Sequence, residues 1–345
     1  MLLVLALAAG LWGLGALMGA SRMARAYMLG LLYVAVLALH VVLPEGHPAR
    51  LATGGSAALW LIVGGFGGLG AAYAFVLRRL KARAEAKAPV QAPPPGRFSG
   101  AELERYARHI VLRELGGPGQ KALKEARVLV IGAGGLGAPA LQYLAAAGVG
   151  TIGVIDDDVV ENANLQRQVI HTDARIGMPK VFSAQAAMEA QNPYVTVRPY
   201  HRRLEAEGAE ALFADYDLIL DGTDNFETRY LANRAAVAAG KPLVSGALSQ
   251  WEGQLSVFDP AKGTPCYQCL FPEAPAPGLA PSCAEAGVLG PLPGVVGAMM
   301  AVEAVKLVTG AGQPLLGEML IYDALWGETR KIALKRRAGC PVCGG

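Results

Sequence analysis

The 345-residue sequence predicts an α/β fold with a mostly parallel sheet and a four-cysteine metal site, preceded by three transmembrane helices. Three observations carry that prediction. A glycine-rich turn, Gly132-Ala-Gly134-Gly135-Leu-Gly137, directly follows an apolar β-branched run. Two cysteine pairs, Cys266-x-x-Cys269 and Cys340-x-x-Cys343, frame the last third of the chain. Three apolar runs open it: Leu2 to Ala20, Tyr27 to Leu43 and Ala57 to Leu77.

Hydrophobic residues make up 53% of the chain and concentrate in those opening runs. A membrane span needs about 20 apolar residues, with a range of roughly 17–25. The third run fits well and the first two lie near the lower limit. A signal peptide is the rival for the first run, but no basic segment precedes it and Arg22 and Arg25 follow it. Buried soluble helices are the rival for all three. The heavier basic flank, Arg78-Arg79-Leu-Lys81-Ala-Arg83 and then Lys87, belongs on the cytoplasmic side. The expectation is a multi-pass protein of the inner or plasma membrane with its N-terminus outside. It crosses three times, and everything after residue 78 is cytoplasmic. The basic segment then faces lipid headgroups. A net charge of +3 gives no global field for nucleic acid. Pro89 and Pro93-Pro94-Pro95 mark a stiff linker. The domains expected are a membrane region over 1–80, a linker over 81–97 and a catalytic domain over 98–345.

Ser99-Gly-Ala-Glu102 reads as a capping box, opening a helix to about Leu115 that Gly116-Gly117-Pro118-Gly119 ends. A short helix from Gln120 to Glu125 leads into a strand, Arg127 to Ile131. The glycine turn and a helix from Leu136 to Ala147 follow. This strand, turn and helix are the context in which glycines let phosphates approach the backbone and a helix N-terminus offers free N–H groups. A second strand, Thr151 to Ile155, ends at Asp156, placed for ribose hydroxyls; a plain aspartate turn is the alternative.

Up to this point a nicotinamide dehydrogenase fits as well as an ATP enzyme. Arg167, in the polar stretch Glu161 to Gln168, and Lys180, opening a helical stretch, favour ATP. Fixed cations stabilise charge that builds on phosphates during adenylation. A strand ending near Leu220 leads to Asp221-Gly-Thr-Asp224-Asn225, where Asp224 is the candidate for Mg²⁺ and Asp221 a candidate turn or cap residue. Later strands are expected over Lys241 to Ser245 and Gly253 to Phe258, then an apolar helix over Val295 to Val308 holding Glu303. Four thiolates from two tight turns suit a closed, structural Zn²⁺ site, and a redox pair is the rival. Cys283 sits in a Gly- and Pro-rich stretch, where a buried structural cysteine and a reactive thiol are both open.

The ordered motifs Gly-Ala-Gly-Gly-Leu-Gly, Asn-Leu-Gln-Arg-Gln, Gly-x-Pro-Lys, Asp-Gly-Thr-Asp-Asn, Glu-Gly-Gln, Cys-Tyr-Gln-Cys-Leu, Cys-x-Glu-Ala-Gly-Val and Cys-Pro-Val-Cys-Gly run from about Leu103 to Gly344. In these the chain resembles the MoeB/ThiF/HesA family, the ubiquitin-activating-type adenylyltransferases of small sulfur carriers. The resemblance implies a Rossmann-like, ThiF-type adenylation domain. It implies that Gly135, Asp156, Asn164, Arg167, Lys180, Asp224 and Asn225 contact MgATP, with Gly134 beside them in the turn. It implies Zn²⁺ on Cys266, Cys269, Cys340 and Cys343. Arg108 matches an arginine that enters a neighbouring subunit's ATP site, so a homodimer is implied. Cys283 matches a cysteine used in sulfur transfer by some members. The implied reaction is adenylation of the C-terminal Gly-Gly carboxylate of a ubiquitin-like carrier, in molybdopterin or thiamine biosynthesis. No rhodanese-like domain follows the cysteine tail, so another protein is expected to supply sulfur. A non-catalytic membrane-tethered module and a tRNA-modifying member remain alternatives. Ala163 departs from the family's usual serine, and residues 1–97 match nothing in the pattern.

Overall fold

The computed structural model describes residues 1–54, 56–87, 98–276 and 286–344. Cys283, and most of the linker expected over 81–97, lie outside the described residues. The chain divides into two compact units, Met1–Pro89 and Val90–Gly345.

The first unit is helical: α1 (Leu2–Leu17), α2 (Arg22–Val42), α3 (Pro48–Thr53) and α4 (Ala57–Lys87). Ser21 caps α2 by accepting from the Ala24 N–H at 3.2 Å. Val4, Val36 and Trp60 form a small buried centre, and the Tyr33 hydroxyl donates to the Trp60 carbonyl at 2.8 Å. Most apolar side chains point outward instead. Leu31, Phe66 and Leu69 are each at least 70% exposed, the kind of apolar surface that marks an interaction site.

Among the described residues, the helices long and apolar enough to cross a bilayer are Met23–Val42, Pro48–Leu80 and Pro291–Thr309. The last packs against the sheet of the second unit. The first apolar run gives a helix of 16 residues, about 24 Å at 1.5 Å per residue. That falls short of a hydrocarbon core of about 30 Å. Two of the three expected crossings thus have the length. Helix α4 also runs through the boundary expected at residue 81, because Lys-Ala-Arg-Ala-Glu-Ala-Lys is made of strong helix formers.

The second unit carries one eight-stranded sheet in the order β3-β2-β1-β4-β5-β6-β7-β8. The strands are β1 (Arg127–Ile131), β2 (Thr151–Ile155), β3 (Thr196–Tyr200), β4 (Leu218–Asp221), β5 (Leu243–Leu248), β6 (Glu252–Phe258), β7 (Glu318–Asp323) and β8 (Glu328–Ala333). The first five run parallel. The last three pair antiparallel. Both faces of the parallel part are buried, which is why β1 reads as a continuous apolar run. Val128 and Val130 join one core, and Leu129 and Ile131 join the other. At the amino end of β1 the Asp217 carboxylate accepts from the Arg127 N–H at 2.8 Å.

The larger core lies under α6 (Gly116–Glu125), α7 (Gly137–Ala147), α8 (Lys180–Gln191) and α12 (Pro291–Thr309). The opposite core lies under α9 (Ala209–Ala214), α10 (Phe226–Ala238) and α11 (Tyr267–Leu270). Helix α5 (Gly100–Ile110) carries the expected capping box, with both Ser99 and Glu102 bonds formed. It ends earlier than Leu115. Gly116 to Gly119 open α6 rather than separating two helices, since Pro118 sits in the first turn, where its missing N–H costs nothing. Pro291 and Pro293 begin α12 four residues before the expected start for the same reason. Its buried Glu303 accepts from the Leu315 N–H at 2.9 Å and pairs with Lys306 at 2.5 Å.

Candidate functional site

Strand order reverses between β1 and β4, and the turns leaving β1, β2 and β4 open on the same carboxyl edge. In open α/β sheets ligands settle in that crevice. Here it is a cleft of about 590 Å³, within the usual range for small-molecule sites of about 300–1,000 Å³. Of the residues singled out in the sequence, Gly134, Gly135, Asp156, Arg167, Lys180, Asp224 and Asn225 all line it.

The glycine turn is built for close backbone approach. Gly132 holds φ at +90°, a conformation other residues rarely adopt. A Cβ on Gly137 would lie 1.8 Å from the Gly132 carbonyl oxygen. The turn delivers the first amides of α7 to the cleft, where a helix N-terminus favours anions.

Asp156 braces this turn. Its carboxylate accepts from the Ala133 N–H at 2.7 Å and the Asp158 N–H at 2.8 Å. Burial raises its pKa above the ordinary carboxylate value, against those two donors. These bonds meet the aspartate-turn reading. Lys180 starts α8 with a nearly buried ammonium, 2.7 Å from the exposed carboxylate of Asp158. Arg167 is steered by Asn164: its guanidinium donates to the Asn164 side-chain oxygen at 3.4 Å and to the Ala163 carbonyl at 3.2 Å. Asn164 itself does not line the cleft.

Asp224 stands exposed at the rim and takes no hydrogen bond or ion pair from the described residues. That leaves its oxygens available to a hydrated divalent cation such as Mg²⁺. Asn225 has a structural task as well, since its side-chain oxygen caps α10 by accepting from Thr228 at 2.9 Å. Asp221 is a turn residue, accepting from the Thr223 N–H at 3.0 Å and the Thr223 hydroxyl at 2.6 Å. Arg108 is exposed on α5 and does not line this cleft.

Three features in or behind the cleft escaped the sequence reading. Arg229 is buried, donates to the Gly246 carbonyl at 2.8 Å and to the Thr223 carbonyl, and lies 3.9 Å from Asp221. It ties the carboxyl ends of β4 and β5 together. Gln168 lines the cleft with a buried Oε1 that has no hydrogen-bond partner among the described residues; its place beside Arg167 was the available signal. His171 is buried behind the glycine turn, 2.9 Å from the Ala133 carbonyl and 2.9 Å from the Ser183 hydroxyl.

Burial lowers the His171 pKa, and Lys180 and Arg175 add to that. Neutral His171 therefore contributes stability that is fully present above its unfolded value of about 6.5. That contribution is lost as pH falls through the lower folded value. Thermal melts at about pH 7.5 and about pH 5.5 should show a steeper loss for the wild type than for His171→Asn. Equal losses would assign the acid sensitivity to other groups.

Away from the cleft, the four cysteines converge. The sulfurs of Cys266 and Cys269 lie 3.9 Å apart, those of Cys266 and Cys340 3.7 Å, and those of Cys269 and Cys343 3.5 Å. All four fall within 4.8 Å of one another. These separations exclude disulfides. Tetrahedral Zn–S bonds of about 2.3 Å place neighbouring sulfurs about 3.8 Å apart, so the donor set fits Zn²⁺ with no open position. Burial pushes the Cys266 thiol up to about 12, so a bound cation is what would make it a thiolate at neutral pH.

Comparison with known proteins agrees with this geometry. The ThiF family profile matches residues 106–342. The chain is 52% identical over 252 residues to a sulfur carrier protein adenylyltransferase of Thermus thermophilus, covering 72% of this chain and 93% of that one. It is 49% identical over 247 residues to a SAMP-activating enzyme E1 of Haloferax volcanii, covering 72% and 91%. Mycobacterium tuberculosis MoeZ, named a probable adenylyltransferase/sulfurtransferase, is 54% identical over 256 residues, and the match spans 73% of this chain and 65% of MoeZ. The crystal structure of E. coli MccB with ATP shares the fold, with a TM-score of 0.60 at 23% identity over 73% of this chain and 77% of that one. With a family match across most of its length and relatives near half identity over the whole sheet domain, the chain belongs to the ThiF family and is an adenylyltransferase.

Proposed function

We propose that this enzyme adenylates the C-terminal Gly-Gly carboxylate of a small ubiquitin-like sulfur carrier, using MgATP, in molybdopterin or thiamine biosynthesis. The observation that carries the reading is the convergence of the glycine turn, Arg167, Lys180 and Asp224 in one cleft. The names of the Thermus and Haloferax relatives support the choice of substrate. The nicotinamide alternative gives way, since a dehydrogenase has little need for two cations aimed at a polyphosphate and the relatives are named adenylyltransferases.

In this reading a carrier carboxylate oxygen bonds to the α-phosphorus of ATP, and the bond from that phosphorus to the α,β-bridging oxygen breaks, so that this oxygen leaves with pyrophosphate. The products are the carrier acyl-adenylate and pyrophosphate. No general base is required, because the carboxylate is already ionised at neutral pH. The first turn of α7 binds phosphate oxygens through backbone N–H groups. Arg167, oriented by Asn164, and Lys180 stabilise the charge that develops on the phosphates. Asp156 orients the ribose while it holds the glycine turn. Asp224 would hold Mg²⁺, which when bound neutralises charge on the departing pyrophosphate. Arg108, solvent-facing on α5, is available to a second subunit's cleft, the basis for proposing a homodimer. The four cysteines would hold Zn²⁺ as a structural clasp.

We further propose that α2 and α4 anchor the enzyme in the inner or plasma membrane, with the sheet domain in the cytoplasm. The outward-facing Leu31, Phe66 and Leu69 support it, as does the basic flank of α4.

The full chain, solubilised in detergent, should catalyse ATP–pyrophosphate exchange only when a Gly-Gly-tailed carrier is added. A carrier lacking its final glycine should give none. Exchange that ignores the carrier's tail, or an inert enzyme across candidate carriers, would overturn the reading.

A further inference from the structure

The ion pair between Lys180 and Asp158 is the feature that adenylation leaves unused. The Lys180 side chain is 6% exposed and that of Asp158 is 65% exposed. Their separation is 2.7 Å. The backbone fixes the two residues independently of this contact. The Lys180 N–H donates to the Asp158 carbonyl at 2.9 Å, the Val160 N–H to Met178 at 2.9 Å and the Gly177 N–H to Val160 at 2.8 Å. Val159 and Pro179 form a bridge between the two segments. The Asp158 carboxylate can therefore swing into water without moving the chain that positions Lys180.

A buried ammonium without a counter-charge is costly, and its partner must be another anion. The Asp156 carboxylate is close enough to act on this ammonium but is engaged by the Ala133 and Asp158 N–H groups, so in the cleft the anion left to replace Asp158 in direct contact is phosphate. We propose that Asp158 is a positioning residue that occupies Lys180 until phosphate arrives and reclaims it afterwards, so that pyrophosphate leaves readily. The proposal rests on the reading of the cleft as an ATP site. Asp158 and phosphate oxygen exchange on one ammonium, and no bond is made or broken. Retention of every phosphate ligand is weakened by the strength of the pair. With one partner largely in water, that strength corresponds to about fivefold in a binding constant at most.

The test is equilibrium binding of inorganic pyrophosphate and of MgATP to the full chain, by calorimetry, for the wild type, Asp158→Asn, Asp158→Ser and Asp158→Glu. The neutral variants should bind pyrophosphate about three- to fivefold more tightly, and MgATP should shift in the same direction. Asp158→Glu should return both towards the wild type. The gap between neutral variants and wild type should narrow as salt rises. A residue with a merely structural role would loosen binding when replaced, not tighten it. Unchanged or weaker pyrophosphate affinity in both neutral variants, with the wild type binding both ligands, overturns the role of Asp158 alone. A wild type that binds neither ligand overturns the ATP reading and this one with it.

Discussion

Asp224→Ala is expected to slow carrier-dependent ATP–pyrophosphate exchange by about 10²–10³-fold, the scale of losing one preorganised electrostatic group at a reacting centre. The loss should appear in kcat more than in KM, because the missing interaction acts on charge that grows in the transition state. The fold should survive. Asp224 is exposed and holds no described partner, so its removal should change stability by no more than about 0.5 kcal/mol. Its neighbour Asp221 makes the contrast. Asp221 is 1% exposed and lies beside Arg229, where stripping the partner from a buried charge costs about 3–5 kcal/mol. An Asp224→Ala enzyme with wild-type exchange would remove the metal role from this residue.

The second large effect concerns stability. Cys340→Ser should destabilise the sheet domain by about 4 kcal/mol or more, as expected when a structural metal site is broken. At roughly 2–4 °C per kcal/mol for a domain of this size, the thermal midpoint should fall by about 10 °C. A strong chelator should reproduce the drop in the wild type and add little in the variant. The reason is topological. Cys266 and Cys340 are 74 residues apart in the chain and their sulfurs 3.7 Å apart in space. Between them lie α12, β7 and β8, so a metal joining the two pairs would close the last two strands of the sheet into a loop. Identical melting curves for variant, chelated and untreated protein would show that packing alone holds the cluster.

Much of this site was legible because its chemistry is written in short spacings. The turn from Gly132 to Gly137 falls between a strand and a helix that begin and end within a residue of where periodicity puts them. The cysteine pairs declare themselves at three-residue spacing. What stayed hidden depends on partners distant in sequence. The pairing of Asp158 with Lys180 arises from a bridge between Val159 and Pro179. The task of Arg229 depends on β5 lying beside β4, and side-chain type does not reveal strand order. Strands β7 and β8 are obscure for another reason. All six β8 residues are exposed, among them Glu328, Arg330 and Lys331, so no apolar alternation marks the strand.

A strand packed on one side only is held in place by its pattern, since a slip of one residue would turn its oily side towards water. Strand β1 has no such protection. Its odd and even residues are equally apolar and both enter a core, so a slip would exchange one greasy surface for another. Besides its ladders to β2 and β4, two polar contacts at its ends oppose a slip, with Asp217 gripping Arg127 and Asp156 gripping Ala133. The carboxylate assigned to the ribose is therefore also a registration mark. A substitution there loosens the exit of β1 as well as changing what the cleft can hold.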